Sequence, residues 1–238
     1  MRLCFLMKRF NYHLEDPTPE NCQAAIMVLL ELYNLSSRLD VKNAALHVLD
    51  LQSQAINQAD GVQGADSAHI LKILATLDEK SKRLHSFRGQ LGQHLKTHSF
   101  LNALRQRASI AGGINGLDIP LFNYWLYQPD TKRVEDLRTW VRPYEIAFEA
   151  IQILMDFIYQ GIDEQTIVAE SGFYQSPLNH DKNYQILAIE IPDNTRVYPE
   201  ISAGKQRFSV RFVDASSLEE KGKQITDNVE FKLTLYSF

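Results

Sequence analysis

Residues 80–117 contain no aspartate or glutamate. The same stretch carries Lys80, Lys82, Arg83, Arg88, Lys96, Arg105 and Arg107, with His85, His94 and His98 among them. The whole chain has a formal net charge of −4, so an acid-free segment is a local departure and suggests a surface that receives an anionic partner. A second basic grouping lies near the C-terminal end. Alternation through 207–213 puts Phe208, Val210 and Phe212 on one side of a strand and Arg207, Ser209 and Arg211 on the other. Lys205 has the same parity if the strand reaches back that far. Guanidinium groups on one face suit carboxylate or phosphate recognition.

Catalytic patterns are missing. Gly112-Gly113-Ile114-Asn115-Gly116 lacks the Walker lysine and the dinucleotide-binding spacing. There is no Gly-x-Ser-x-Gly elbow and no His-Glu-x-x-His pair. His94 and His98 stand four apart, which on a helix could face one metal; the plainer reading is a polar surface. Asp118 reads as a helix cap. Tyr124, Trp125 and Tyr127 read as core rather than as a peptide slot.

The chain has 238 residues, 45% of them hydrophobic, enough for a substantial core in one large domain or two small ones. Cys4 and Cys22 are too few for a disulfide framework, and a reducing cytoplasm fits. The apolar opening Met1–Met7 is interrupted by Lys8 and Arg9, too soon for a signal core or a membrane span. A mildly acidic chain does not suggest bulk nucleic-acid binding.

The elements that position these residues change character near Gly161. Before it, apolar spacing is helical. Thr18 and Pro19 read as the start of a helix over 19–35, with Ile26, Leu29, Leu30 and Tyr33 on one face. A second helix is expected over 41–58, stopping near Gly61. Ser67 caps a third, whose Ile70, Leu74, Leu77, Leu84 and Leu91 form a near-heptad ladder; a bundle helix and a dimer-forming coiled coil both fit. Gly89 and Gly92 break it, and Ser99 caps another helix through Arg107. A last long helix starts with Pro143 in its first turn, carries Ile146, Ala150, Ile153, Leu154, Phe157 and Ile158, and ends at Gly161. After Gly161 the period becomes two, with strands over 166–169, 184–191, 207–213 and 229–236. The expected fold class is α+β: an N-terminal mostly helical domain, residues 1–161, followed by a small antiparallel β-sheet domain, residues 162–238.

Two stretches carry a family pattern. One runs Leu104-Arg105-Gln106-Arg107-Ala108-Ser109-Ile110-Ala111-Gly112-Gly113, then Leu117-Asp118-Ile119-Pro120 and Trp125-Leu126. The other runs Gly172-Phe173-Tyr174-Gln175, then Tyr198-Pro199-Glu200-Ile201-Ser202, then 205–212. In order and spacing they resemble the ZapD family of Z-ring-associated bacterial cell-division proteins, through nearly the whole chain. The resemblance implies a cytoplasmic homodimer at the mid-cell division site. It implies binding to the C-terminal tail of the tubulin-like GTPase FtsZ and bundling of FtsZ filaments, with no enzymatic activity, cofactor, metal or membrane association.

The resemblance also assigns a basic partner-binding pocket. It places Arg2, Arg38, Arg105, Arg107, Lys205, Arg207 and Arg211 in that surface. Arg105 and Arg107, two apart on a helix, point to different faces, and one of them is free to hold the glycine loop. Ser99 and Asn123 depart from the pattern, since relatives carry an arginine and a histidine there; Lys96 or His98 are the candidate substitutes. Family members carry a short segment before the first helix, whereas Met1 here falls inside that helix, so either a shorter protein or a late start assignment is expected. The alternative function is a single-stranded RNA-binding module using the basic strand face. It is weaker, because the sheet lacks the aromatic strand motif of common RNA-binding domains.

Overall fold

The structure is a computed structural model that describes residues 1–59, 67–114, 119–160, 163–182, 184–193, 195–217 and 219–237. Gly61, Gly116, Asp118 and Gly161 lie outside the described residues, as do the side chains of Ile70, Leu154, Phe157 and Ile158. The chain forms two compact units, Met1–Leu154 and Met155–Phe238. Among the described residues the first unit is helical: α1 (Arg2–Glu15), α2 (Pro19–Arg38), α3 (Val41–Ala59), α4 (Ser67–Ser86), α5 (Gln93–Thr97), α6 (Ser99–Ala108), α7 (Pro120–Leu126) and α8 (Asp130–Gln160), whose last residues belong to the second unit. None of these helices is long and apolar enough to cross a membrane.

Local chemistry explains the boundaries. Thr18 caps α2 by accepting the Asn21 N–H at 3.2 Å, and Pro19 fills the first turn, where its missing N–H costs nothing. On α1, Leu3, Leu6, Met7, Phe10 and Leu14 form one buried stripe that packs on α2. Ile26, Leu29 and Leu30 of α2 are buried as their spacing requires. α4 ends as expected before Gly89, and both Gly89 and Gly92 adopt positive φ.

Two helix starts differ from expectation. His98, not Ser99, is the N-cap of α6: its Nδ1 accepts the Leu101 N–H at 3.4 Å, and Ser99 is the first helical residue. Pro143 does not open the last helix but lies inside α8, which begins at Asp130. A proline in a helical stretch fits a first turn, where no carbonyl loses a donor, but it is also found inside a helix, where one does; Pro143 is the second case, with residues 130–142 already helical before it.

The second unit is a small sandwich of antiparallel sheets. Its strands are β1 (Asp163–Ala169), β2 (Phe173–Pro177), β3 (Tyr184–Glu190), β4 (Val197–Ala203), β5 (Arg207–Asp214) and β6 (Val229–Ser237). They form two three-stranded sheets, ordered β1-β6-β3 and β2-β5-β4, where the alternation suggested one. β2 and β4 were not expected. Each carries a proline, Pro177 or Pro199, which argues against a strand until one sees that both are edges flanking β5. Phe208, Val210 and Phe212 of β5 face Phe231 and Leu233 of β6, with Phe212 and Phe231 ring centroids 5.2 Å apart.

Candidate functional site

The helical unit brings two of the expected arginines together. Arg2 opens α1 and Arg38 closes α2, and both line a groove of about 480 Å³ between these helices. Phe5, Leu6, Leu35 and Leu39 supply its apolar walls, Asn34 and Glu31 its polar ones. Phe5 is 62% exposed and Leu39 56% exposed, high values for side chains of this kind. Neither Arg2 nor Arg38 has a side-chain partner among the described residues. Glu31 is held by Arg9 in a two-pronged pair, Nη2 to Oε1 at 3.0 Å and Nη1 to Oε2 at 3.2 Å. The groove therefore contains one neutralised carboxylate and two uncompensated guanidinium groups. Phe5 and Leu39 were missed at the level of sequence. The available signal was that Phe5 falls off the buried stripe of α1, leaving a large apolar residue on the solvent side.

Arg105 and Arg107 diverge, as their spacing requires. Arg105 is half-buried, its Nη2 donates to Asn102 Oδ1 at 2.8 Å, and its guanidinium lies 5.2 Å from the centroid of the Tyr33 ring. It holds α6 against α2 rather than the glycine loop. Arg107 is exposed and has no side-chain partner among the described residues. The acid-free segment is partly neutralised from elsewhere: Lys80 and Arg83 both reach Glu149, at 2.9 and 3.0 Å, and Lys82 reaches Asp78. Arg88 and Lys96 remain without partners among the described residues.

In the sheet unit, Arg207 and Arg211 share the outward face of β5 as expected, but only Arg207 is uncompensated. Arg211 stands directly opposite Glu200 of β4, and its Nε donates to Glu200 Oε2 at 3.1 Å while Nη2 bonds the same oxygen. Lys205 is not on the strand, which begins at Arg207; it lies in the turn joining β4 to β5.

The aromatic reading divides. Trp125 is buried among Phe100, Phe122 and Trp140, whereas Tyr124 and Tyr127 are exposed rather than core. Asn123 of α7 and Ser99 of α6 are likewise exposed, and His98 is committed to capping α6.

His94 is not a surface residue. Its Nε2–H donates to the Trp140 carbonyl at 2.7 Å, and its Nδ1 is buried with no partner among the described residues. That carbonyl lies one residue along from Thr139, whose usual donor Pro143 lacks. Burial lowers the His94 pKa from its ordinary value of 6.5, outweighing the bond to Trp140. A histidine harder to protonate when folded than when unfolded lets the unfolded chain take up the proton first. Stability is then complete above pH 6.5 and declines as the pH falls from there towards the lowered folded pKa. His94→Gln, which keeps a donor for Trp140, is expected to lose this part of the decline. Urea unfolding from pH 7.5 to 5 checks it, and parallel curves for the two proteins would refute it. No group of three or more His, Cys, Asp or Glu side chains suited to a metal occurs among the described residues.

Comparison with known proteins agrees with the motifs. The profile of the ZapD family, described as "Cell division protein", matches residues 1–211. Curated relatives called "Cell division protein ZapD" align along the full length. The one from Chromobacterium violaceum is 30% identical over 238 residues, covering 100% of this chain and 94% of its own. That from Coxiella burnetii (strain RSA 493) is 29% identical over 238 residues, 98% and 92% of the two chains, and that from Bordetella petrii 28% identical over 237 residues, 100% and 94%. With both the arginine-lined helices and the strands through Arg211 inside the matched span, the chain belongs to the ZapD family of cell division proteins.

Proposed function

We propose that this protein binds the C-terminal tail of FtsZ and, as a homodimer, crosslinks FtsZ filaments into bundles at the cytoplasmic mid-cell division site. The observation that carries the proposal is the α1–α2 groove, where Arg2 and Arg38 stand without partners beside the exposed apolar Phe5 and Leu39. Such a groove suits a short peptide bearing carboxylates next to an apolar side chain. Arg107 in the helical unit and, separately, Arg207 and Lys205 in the sheet unit are further cations without partners among the described residues, and Arg211 becomes available only by exchanging Glu200 for a ligand carboxylate.

An exposed arginine–carboxylate pair contributes only about 0.2–1 kcal/mol, so several are needed. Micromolar binding corresponds to roughly 8 kcal/mol, within reach of a few pairs plus one buried apolar anchor. A symmetric dimer presents two sites without further machinery. Because a filament offers many tails, weak contacts gain about 10²–10⁴ in avidity. RNA is the weaker candidate, since Arg211 is already neutralised on the strand face that would have to follow a phosphate backbone.

The test is sedimentation of polymerised FtsZ with this protein, at low and high salt, using full-length and tail-deleted FtsZ. Co-pelleting is expected to require the tail and to fade with salt. Arg2→Glu and Arg38→Glu are each expected to weaken binding of the isolated tail peptide about tenfold. Bundling equal at both salt concentrations, or unchanged without the tail, would overturn the reading.

A further inference from the structure

The outward face of the β2-β5-β4 sheet carries a second small pocket, of about 300 Å³, around Arg207. Ser209 of β5 stands opposite Gln175 of β2 on one side and opposite Ser202 of β4 on the other. Directly opposed side chains in an antiparallel sheet lie about 5 Å apart, so an amide and two hydroxyls form one row across three strands. All three line the pocket beside Arg207, as does Gly204. None of the four side chains has a partner among the described residues. Arg211, two residues further along the same face, is already paired with Glu200.

We propose that this pocket seats one carboxylate of the bound tail, with Gln175, Ser202 and Ser209 as binding residues beside Arg207; the inference rests on the tail-binding reading. The guanidinium is a planar fork that matches a carboxylate in two parallel bonds. A carboxylate so held still has lone pairs to satisfy, and two hydroxyls and an amide NH₂ are the donors for them. Among the described residues no carboxylate lines the pocket, so none of them competes there with the ligand. The group arrives either as the chain terminus of the tail or as an aspartate or glutamate side chain.

The experiment is fluorescence anisotropy of the full protein with labelled FtsZ tail peptide. Ser202→Ala combined with Ser209→Ala is expected to weaken binding about tenfold, as is Gln175→Leu combined with Ser209→Ala. Thr166→Ala, on an exposed position of the other sheet, serves as the control and stays within about twofold of wild type. The peptide is then used with an amidated C-terminus, and separately with each acidic residue made its amide. The peptide change that erases the difference between wild type and the serine double variant identifies the carboxylate. Tail binding by the wild type that is indifferent to the row of substitutions overturns this inference alone. A loss that persists on every neutralised peptide does so too, because it assigns the serines a structural role. Failure of the wild type to bind any tail peptide overturns the tail-binding reading as well.

Discussion

Replacing Gly92 with alanine is expected to destabilise the helical unit by about 4 kcal/mol, a backbone-strain cost added to an overpacking cost. Gly92 caps α5 with φ +85°, a conformation that a side chain disfavours by about 1–2 kcal/mol. A Cβ there would also stand 2.2 Å from Tyr144 Oη and 2.8 Å from Ser36 Oγ. These two hydroxyls are hydrogen-bonded at 3.0 Å inside the core, and the Ser36 carbonyl accepts from Gln90 Nε2 at 2.7 Å. Tyr144 is fully buried and has nowhere to move; the same burial pushes its pKa up and keeps it protonated. The methyl group therefore breaks the bond that ties α2 to α8, besides straining its own backbone. Gly112 provides the control. Its φ is +91°, but a methyl group there would meet nothing within 4 Å, so Gly112→Ala is expected to cost only the backbone part, about 1–2 kcal/mol. Both tryptophans of the chain, Trp125 and Trp140, lie in the helical unit, so urea unfolding followed by tryptophan fluorescence reports on that unit. Equal losses for the two alanines would mean that the Tyr144 collision is absent.

What the sequence makes legible follows from how local each determinant is. The start of α2 is written in Thr18 and Pro19, and the face of β5 in its alternation, so both could be read directly. Pro143 could not, because whether a proline opens a helix or interrupts one depends on whether the residues before it, 130–142, are themselves helical. β2 and β4 were hidden for a related reason: Pro177 and Pro199 are acceptable only at sheet edges, and edge position is a property of the whole sheet. The candidate site shows the same division. Arginines can be listed from sequence, but which of them are neutralised cannot. Arg211 meets Glu200 only through the β4–β5 register, and Arg105 meets Tyr33 only through the packing of α6 on α2. Arg2 and Arg38 are left uncompensated because Glu31, the one carboxylate among the described residues lining their groove, is bonded by Arg9.

Arg133 is a second residue whose loss should cost about as much as the change at Gly92, and the charge pattern gave no reason to single it out. It is 6% exposed, and no carboxylate is among its partners in the described residues. Its Nη1 donates to the carbonyls of Leu126 and Gln128, its Nη2 to the carbonyl of Pro17 at 2.7 Å, and its Nε to Cys22 Sγ at 3.4 Å. The guanidinium thus joins the link between α1 and α2 to the link between α7 and α8, satisfying carbonyls at the end of α7 that no helical N–H can reach. Arg133→Met keeps the volume of the stem but leaves three carbonyls without this donor, and is expected to cost about 3–5 kcal/mol. Arg133→Lys brings a point charge that cannot fork to both links, and should recover less than half of the loss. The groove supplies a second readout. Pro17 sits in the connection that sets α1 against α2, the two walls carrying Arg2 and Arg38. Under conditions where Arg133→Met remains folded, amide exchange at Thr18 should accelerate and tail-peptide affinity should fall, although Arg133 is not among the groove residues. A methionine variant as stable as the wild type would show instead that desolvating the guanidinium costs as much as its four bonds return. In that case the geometry of the groove must be maintained by the apolar contacts of Leu3, Leu6, Met7 and Phe10 alone.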